Sequence, residues 1–233
     1  MARTTSPNRF PAAPPRLFAI SDRKGLPGQD LEPWLRSLGA AGVTGVQLRE
    51  KDLDDRALFE LTETARRLLP ASTCLLLNGR IDIALAAGAD GAHLPVDGPP
   101  VGRLRQRFGD GVVLGCSTHN PEEALAAQAG GADFITFGPI FETPSKAAFG
   151  PPPGLGALQD LLGRLPAPLP IYGLGGLGRG DFSALAAAGA AGAAGIRMFQ
   201  RSSELGSLVE EARRIFSTEP SAAGTSAKAH GPD

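Results

Sequence analysis

The chain has 233 residues, of which 42% are hydrophobic, and it carries 23 basic and 24 acidic residues. This length and apolar content are enough for one large domain with its own core, without support from a metal or disulfides. The net charge of -1 excludes the strongly basic surface that nucleic acid or an anionic membrane would require, and it favours a small-molecule ligand.

The sequence indicates a soluble protein of the reduced cytoplasm. No apolar run approaches the roughly 18 residues that suggest a membrane span, and the first residues lack the apolar stretch of a secretion signal. The two cysteines, Cys74 and Cys116, lie inside apolar runs, so we expect buried and unreactive thiols. We therefore expect a cytoplasmic location.

The ends of the chain differ in composition from its middle. Residues 1–15 hold four prolines and few apolar side chains, and residues 217–233 are a mixture of Ser, Ala, Gly and Pro. Such segments cannot bury enough apolar surface to offset the entropy of ordering them. We predict two disordered tails around a folded domain that covers residues 16–216.

Within residues 16–216, a short apolar run is followed by a segment with helical spacing, and this unit occurs eight times. The predicted strands cover residues 17–21, 45–49, 74–77, 91–94, 112–116, 134–137, 171–174 and 193–196. The predicted helices cover residues 31–38, 55–69, 82–87, 101–108, 121–127, 155–165, 181–188 and 203–216. Eight strand–helix units predict the α/β class and a single (β/α)8 TIM barrel. An open doubly wound sheet is the alternative, but the chain lacks its early GxGxxG turn.

In a (β/α)8 barrel the functional groups lie at the carboxyl ends of the strands. The second strand ends in Gln47-Leu48-Arg49-Glu50-Lys51, where alternation places Gln47, Arg49 and Lys51 on one side as donors for a phosphate or pyrophosphate. A solvated charged loop is the alternative interpretation. Asn78 ends the third strand and could bind a phosphate oxygen or the edge of a heterocycle, or cap the next helix.

Further polar residues follow the fifth and sixth strands. Ser117 offers a hydroxyl to a ligand, whereas His119 is expected to be a structural histidine. The segment 138–146 resembles an active-site lid whose Thr143, Ser145 and Lys146 would face an anion, although a flexible connector is the alternative.

The last two strands end in glycine-rich turns, where such barrels frequently bind phosphate through backbone amides. Gly175 and Gly176 follow the seventh strand, and Ile196 and Arg197 follow the eighth. We therefore predict a phosphate site there, with Arg197 adding a positive charge.

Five motifs, in this order and spacing, closely resemble the thiamine phosphate synthase/TenI family. They are QLREK at 47–51, NGRIDIALAAGADGAHL at 78–94, LGCSTHNPEEALAA at 114–127, FGPIFETPSK at 137–146 and GLGGL at 173–177. The resemblance covers roughly residues 16–216. It implies a (β/α)8 barrel in which a synthase joins hydroxymethylpyrimidine pyrophosphate to thiazole phosphate, assisted by Mg²⁺.

The resemblance also implies roles for individual residues. As catalytic residues that stabilise the pyrophosphate it indicates Arg49, Lys51 and Lys146. It indicates that Gln47, Asn78, Ser117 and Thr143 bind the substrates, and we add Ser145, the second hydroxyl of the predicted lid, to this group. As the phosphate cradle it indicates Gly175, Gly176, Ile196 and Arg197, with Arg197 standing where synthases usually have serine.

The sequence departs from both branches of the family where their chemistry takes place. Gly79 and Gly98 stand where synthases have the aspartates that bind Mg²⁺, and Asp97 would replace the second only if its loop shifted. We therefore predict no metal ligands, with Mg²⁺ as a cofactor only if the chain is an active synthase. Pro139 stands where TenI isomerases have a catalytic histidine, and proline cannot act as a general base.

Three functions remain open at the level of sequence. The first is an enzyme of thiamine biosynthesis that binds thiazole phosphate, with the synthase reaction as its parental activity. The second is a TenI-type thiazole phosphate isomerase, also called a tautomerase. The third is a non-catalytic binder or sensor of a phosphorylated ligand. Each implies small phosphorylated partners, and none fixes whether the chain forms a homo-oligomer.

Overall fold

The computed structural model describes residues 10–143, 152–200 and 204–217. Its strands are β1 (Leu17–Ile20), β2 (Gly45–Leu48), β3 (Cys74–Asn78), β4 (Gly91–Leu94), β5 (Val113–Thr118), β6 (Phe134–Phe137), β7 (Ile171–Leu174) and β8 (Gly192–Gly195). Its α-helices are α1 (Glu32–Ala41), α2 (Asp55–Leu68), α3 (Ile81–Ala86), α4 (Val101–Phe108), α5 (Pro121–Ala129), α6 (Gly154–Arg164), α7 (Phe182–Ala187) and α8 (Leu205–Phe216).

The strands form a closed barrel in chain order. Each strand pairs in parallel with the next, and β8 pairs with β1 through the partners Leu17 and Ala193. An α-helix follows every strand, which confirms the predicted (β/α)8 barrel and excludes the open sheet. The carboxyl ends of all eight strands therefore meet at one mouth of the barrel.

Both faces of the strands are buried, which explains why the sequence shows apolar runs rather than strict alternation. Alternate side chains fill the barrel, where Phe18 stacks on Phe134 with ring centroids 4.8 Å apart and Tyr172 meets the edge of Phe134 at 5.5 Å. The intervening side chains, such as Leu75 and Ile135, face the helices and are fully buried. The core is therefore two layers, one inside the barrel and one between the barrel and its helices.

The observed elements differ from the predicted ones mainly at their ends. β1 and β2 stop one residue earlier than predicted, whereas β5 continues to Thr118. The first helix continues to Ala41, three residues beyond its predicted end, because the stop signal is Gly42, whose φ of 77° closes the helix in the left-handed conformation. The predicted start of the last helix, at residue 203, lies outside the described residues.

The two ends of the barrel domain meet at the seam between β1 and β8. The indole Nε1 of Trp34, on α1, donates a hydrogen bond of 2.8 Å to the carbonyl of Phe199, which follows β8. Phe10, which belongs to the predicted N-terminal tail, stacks on Phe134 with ring centroids 5.2 Å apart. Residues 1–9 and 218–233 of the two predicted tails lie outside the described residues.

The thiols of Cys74 and Cys116 are free and buried, as predicted. Burial raises the pKa of Cys116 to about 12 and raises the pKa of Cys74 as well, so both thiols stay protonated. Within the described ranges, no helix has the length and apolar character that crossing a membrane requires.

Candidate functional site

Two of the predicted site residues meet at the mouth of the barrel. Gln47 pairs in register with Leu76, whose side chain lies inside the barrel, so Gln47 faces the same way. Its amide Nε2 donates a hydrogen bond of 3.2 Å to Oδ1 of Asn78, at the end of the neighbouring strand. Gln47 is only 4% exposed, so the pair forms a polar floor beneath the mouth.

The two cations predicted after β2 face more open surroundings. Arg49 is half-buried and Lys51 is exposed. In the part of the chain that the structure describes, no carboxylate forms an ion pair with either side chain. Both charges are therefore available to an anionic ligand.

Three residues of this region were missed at the level of sequence. Glu50, between the two cations, is buried and accepts hydrogen bonds from Oγ of Ser21 at 2.6 Å and from the backbone N–H of Arg23 at 3.2 Å. The signal that could have revealed Glu50 is a carboxylate placed inside a segment predicted to bind an anion, whereas nothing in the sequence pointed to Ser21 or Arg23.

Two candidate residues lie at the carboxyl end of β5 and directly after it. Ser117 is half-buried and pairs in register with Thr136, which lies on β6. His119 forms a hydrogen bond from Nδ1 to the carbonyl of Gly138, and its backbone N–H donates to Oε2 of Glu123 at 2.7 Å. These bonds fit the structural role expected of His119.

The segment after β6 is attached to the end of β7 rather than standing free. The N–H of Ile140 donates to the carbonyl of Leu174 at 2.8 Å, and the N–H of Phe141 donates to the carbonyl of Gly175 at 3.1 Å. This attachment brings the segment that carries the half-buried Thr143 next to the predicted phosphate turn. Ser145 and Lys146, with the rest of the predicted lid, lie outside the described residues.

The glycine turn after β7 requires glycine for two independent reasons. Gly175 and Gly176 have φ values of 96° and 68°, a region that L side chains rarely adopt. A Cβ on Gly175 would lie 2.7 Å from Cα of Pro139, and a Cβ on Gly176 would lie 2.7 Å from Cβ of Phe141. The segment after β6 can approach this turn only because both side chains are absent.

Backbone donors gather at the ends of β7 and β8. Among the described residues, no acceptor bonds to the N–H groups of Gly175, Gly176, Ile196 or Arg197. Arg197 is exposed, begins a short 3-10 helix, and has no ion-pair partner in the described ranges. Unpaired N–H groups beside a positive charge are what a phosphate group requires.

The positions that bind Mg²⁺ in synthases do not form a metal site in this chain. Gly79 has a φ of 73°, which favours glycine, and a Cβ on Gly98 would lie 3.0 Å from the carbonyl oxygen of Pro95. The backbone at both positions therefore fits glycine better than an aspartate. Asp97 is exposed, and no cluster of three acidic, histidine or cysteine residues occurs in the described part of the chain. Because Mg²⁺ prefers carboxylate and phosphate oxygens, the described residues at these positions do not fit it.

His93 is a further residue that sequence reasoning missed. It pairs in register with Asn78, is 3% exposed, and its Nε2 lies 3.3 Å from Oγ1 of Thr136. Burial lowers its pKa to about 4, so the ring is neutral at physiological pH. The signal available was its position, since His93 alternates with outward-facing apolar residues on β4 and so had to face inward.

Amide side chains, unpaired cations and unpaired backbone donors thus converge on the mouth of the barrel. This combination is typical of (β/α)8-barrel enzymes that bind small phosphorylated molecules at the carboxyl ends of their strands.

Comparison with similar proteins shows which family of (β/α)8-barrel enzymes this chain belongs to. The profile of a family described as "Thiamine monophosphate synthase" matches residues 17–199. A putative thiamine-phosphate synthase of Geobacter sulfurreducens is 46% identical over 173 residues, which cover 74% of this chain and 80% of that protein. The thiamine-phosphate synthase of Syntrophomonas wolfei is 35% identical over 201 residues, which cover 86% of this chain and 95% of that protein.

A solved structure agrees with these relatives. The thiamine phosphate pyrophosphorylase from Pyrococcus furiosus superposes with a TM-score of 0.72 at 26% identity, covering 88% of this chain and 98% of that chain. The chain belongs to the thiamine monophosphate synthase family, and it is therefore an enzyme of thiamine biosynthesis.

Proposed function

We propose that this enzyme catalyses the synthase reaction, in which hydroxymethylpyrimidine pyrophosphate is coupled to thiazole phosphate. The observation that carries this proposal is the hydrogen bond between Gln47 and Asn78 at the mouth of the barrel. Once the two amides are paired, Gln47 keeps a free acceptor oxygen and Asn78 keeps free N–H donors. This arrangement complements an aminopyrimidine edge, which offers an amino donor beside a ring nitrogen acceptor.

The charged ends of the two substrates would bind on opposite sides of this amide pair. The thiazole phosphate would take the unpaired N–H groups of the β7 and β8 turns, together with the Arg197 guanidinium. The pyrophosphate would lie against Arg49, Lys51 and Lys146, the last of these carried over from the family motif. We assign hydroxyl contacts with the substrates to Ser117 and Thr143, and the sequence adds Ser145 as a further candidate.

The reaction then follows from electrostatics. The bond between the pyrimidine methylene carbon and the pyrophosphate oxygen breaks, and its electron pair leaves with the pyrophosphate. The thiazole nitrogen donates its lone pair to that methylene carbon and forms the new C–N bond. The side-chain cations stabilise the charge that builds up on the departing oxygen, in a site from which the bound substrates exclude water.

Because the described residues form no cluster of acidic Mg²⁺ ligands, we propose that the side-chain cations neutralise the pyrophosphate. Both substrates and the product are small phosphorylated molecules, and we propose a cytoplasmic location where such metabolites are available. Isomerisation of the TenI type receives no support from the site, because Pro139 provides no proton-transfer group.

The proposal is tested by incubating the chain with both substrates, with Mg²⁺ or with EDTA, and measuring thiamine phosphate by chromatography. Wild-type protein should form the product, and Arg49→Ala should form at least about a hundredfold less, as expected when a transition-state contact is removed. No product above the Arg49→Ala control would refute the synthase activity. Tight binding of both substrates without turnover would instead favour the non-catalytic binder.

A further inference from the structure

The carboxylate of Glu50 turns away from the ligand side of its loop. It stands between Arg49 and Lys51, where an exposed negative charge would repel the pyrophosphate that those cations are proposed to bind. Its side chain is instead 3% exposed, and its two oxygens lie 3.2 and 3.3 Å from the backbone N–H of Arg23. Glu50 therefore fixes its loop to the segment that follows β1.

Ser21 connects this carboxylate to the backbone of Arg49. Its Oγ donates to Oε1 of Glu50 at 2.6 Å and accepts from the N–H of Arg49 at 2.8 Å, and the residue is fully buried. A serine hydroxyl has one proton, so donating it to Glu50 leaves the lone pairs of the oxygen for Arg49. Because β2 ends at Leu48, Ser21 gives Arg49 the partner that a neighbouring strand would otherwise supply.

Arg23 holds the outer side of the same connection. Its guanidinium pairs with Asp52 at 2.7 Å and donates to Oε1 of Gln29 at 2.9 Å, while its Nε lies 3.7 Å from Glu50. The loops after β1 and β2 are thus joined by buried bonds at Glu50 and by exposed ones at Asp52. Only the buried bonds reach the backbone of Arg49.

We infer that Ser21 and Glu50 are positioning residues that set the backbone of Arg49 and so direct its guanidinium to the pyrophosphate of the substrate. The inference rests on the proposed pyrophosphate-binding role of Arg49. Neither residue contacts the proposed ligands, and both act through hydrogen bonds to the loop that carries the cation.

The test uses the full chain and two probes that bind on different sides of the site, inorganic pyrophosphate and thiazole phosphate. In Ser21→Ala, calorimetry should show about tenfold weaker binding of pyrophosphate, because a misdirected guanidinium loses one charge-assisted hydrogen bond. Binding of thiazole phosphate should stay within about twofold of wild type, because its proposed donors lie on β7 and β8. A general loss of folding would weaken the binding of both ligands together.

Three further variants complete the test. Glu50→Gln keeps the shape of the side chain but removes its charge, and it should also weaken the binding of pyrophosphate without weakening that of thiazole phosphate. Ser21→Thr keeps the hydroxyl and should retain pyrophosphate binding. Asp52→Asn removes the charge of the exposed carboxylate that pairs with Arg23, and this variant should also retain pyrophosphate binding.

Thermal unfolding of each variant shows whether the protein is folded at the temperature of the titration. Unchanged pyrophosphate affinity in folded Ser21→Ala and Glu50→Gln would overturn the inference, as would equal losses for both ligands. Failure of wild-type protein to bind pyrophosphate would overturn the proposed role of Arg49 itself, and with it the inference.

Discussion

Gly176 shows how a single residue type can be required by geometry and by function at once. Its φ of 68° and the 2.7 Å approach of Phe141 leave no room for a side chain. The N–H groups exposed by this turn are those proposed to bind the thiazole phosphate. Any substitution of Gly176 should therefore disturb the phosphate cradle more than it disturbs the rest of the barrel.

Gly176→Ala should weaken the binding of thiazole phosphate by at least about tenfold and cost about 1–2 kcal/mol of stability, since alanine disfavours the left-handed region. Gly180→Ala is the matched control, because a Cβ there meets nothing within 4 Å. Calorimetry and thermal unfolding measure the two effects. Equal affinities of the two variants would contradict the cradle.

The amide pair of Gln47 and Asn78 should act on the pyrimidine substrate alone. Gln47→Ala should raise the KM for the pyrimidine pyrophosphate by about ten- to a hundredfold, because it removes an acceptor and leaves the half-buried Asn78 without its partner. Affinity for thiazole phosphate should change little. If the KM for both substrates rose together, the amide pair would not be the pyrimidine site.

Side chains that follow strands were predictable because the barrel places them by a rule. Gln47 and Asn78 follow directly from the carboxyl-end rule, although no local pattern revealed that they bond to each other. The connection of Ser21 to Glu50 spans 29 positions and depends on β1 and β2 lying side by side. A contact of this kind appears only once the fold brings the two loops together.

At the scale of elements, α5 illustrates how local signals define a helix next to the site. Asn120 caps it, with Oδ1 accepting from the N–H of Glu123 at 2.9 Å and Nδ2 donating to Oε1 of the same residue at 2.7 Å. Pro121 occupies the first position, where its missing N–H costs nothing. The sequence predicted this start correctly because every signal lies within four residues.

Asn120→Ala should lower the free energy of unfolding by about 1 kcal/mol, because the helix loses its cap. Asn120→Ser, which retains a capping oxygen, should lower it by less. Urea unfolding followed by circular dichroism measures both values. A loss as large for serine as for alanine would show that the cap is not the cause.

Other element ends were missed because they depend on distant partners. The first strand ends at Ile20 because the N–H of Arg49 bonds to the hydroxyl of Ser21 rather than to a backbone carbonyl of that strand. This cannot be read from the run of apolar residues. By contrast, β4, β6 and β7 have the predicted bounds. The apolar runs that predicted them are buried, except that Leu174 at the end of β7 is partly exposed.

At the scale of the whole molecule, His93 couples stability to pH. Its pKa is lowered to about 4 in the folded barrel from an ordinary 6.5. Between these values the unfolded chain binds a proton that the folded chain does not, so stability falls as the pH falls from about 6.5 to about 4. The full effect is roughly 3 kcal/mol.

His93→Gln removes this titration and should flatten the dependence of unfolding free energy on pH in that window. Urea titrations of wild type and variant at a series of pH values provide the measurement, and the carboxylates that also titrate there are common to both proteins. Parallel curves would show that His93 is not the group responsible.

Trp34 is the chain's single tryptophan, and its indole is bonded to the carbonyl of Phe199, two residues after Arg197. The enzyme thus carries an intrinsic optical probe at the point where the barrel closes and beside the proposed phosphate site. Its emission should report substrate titrations and barrel assembly from unlabelled protein.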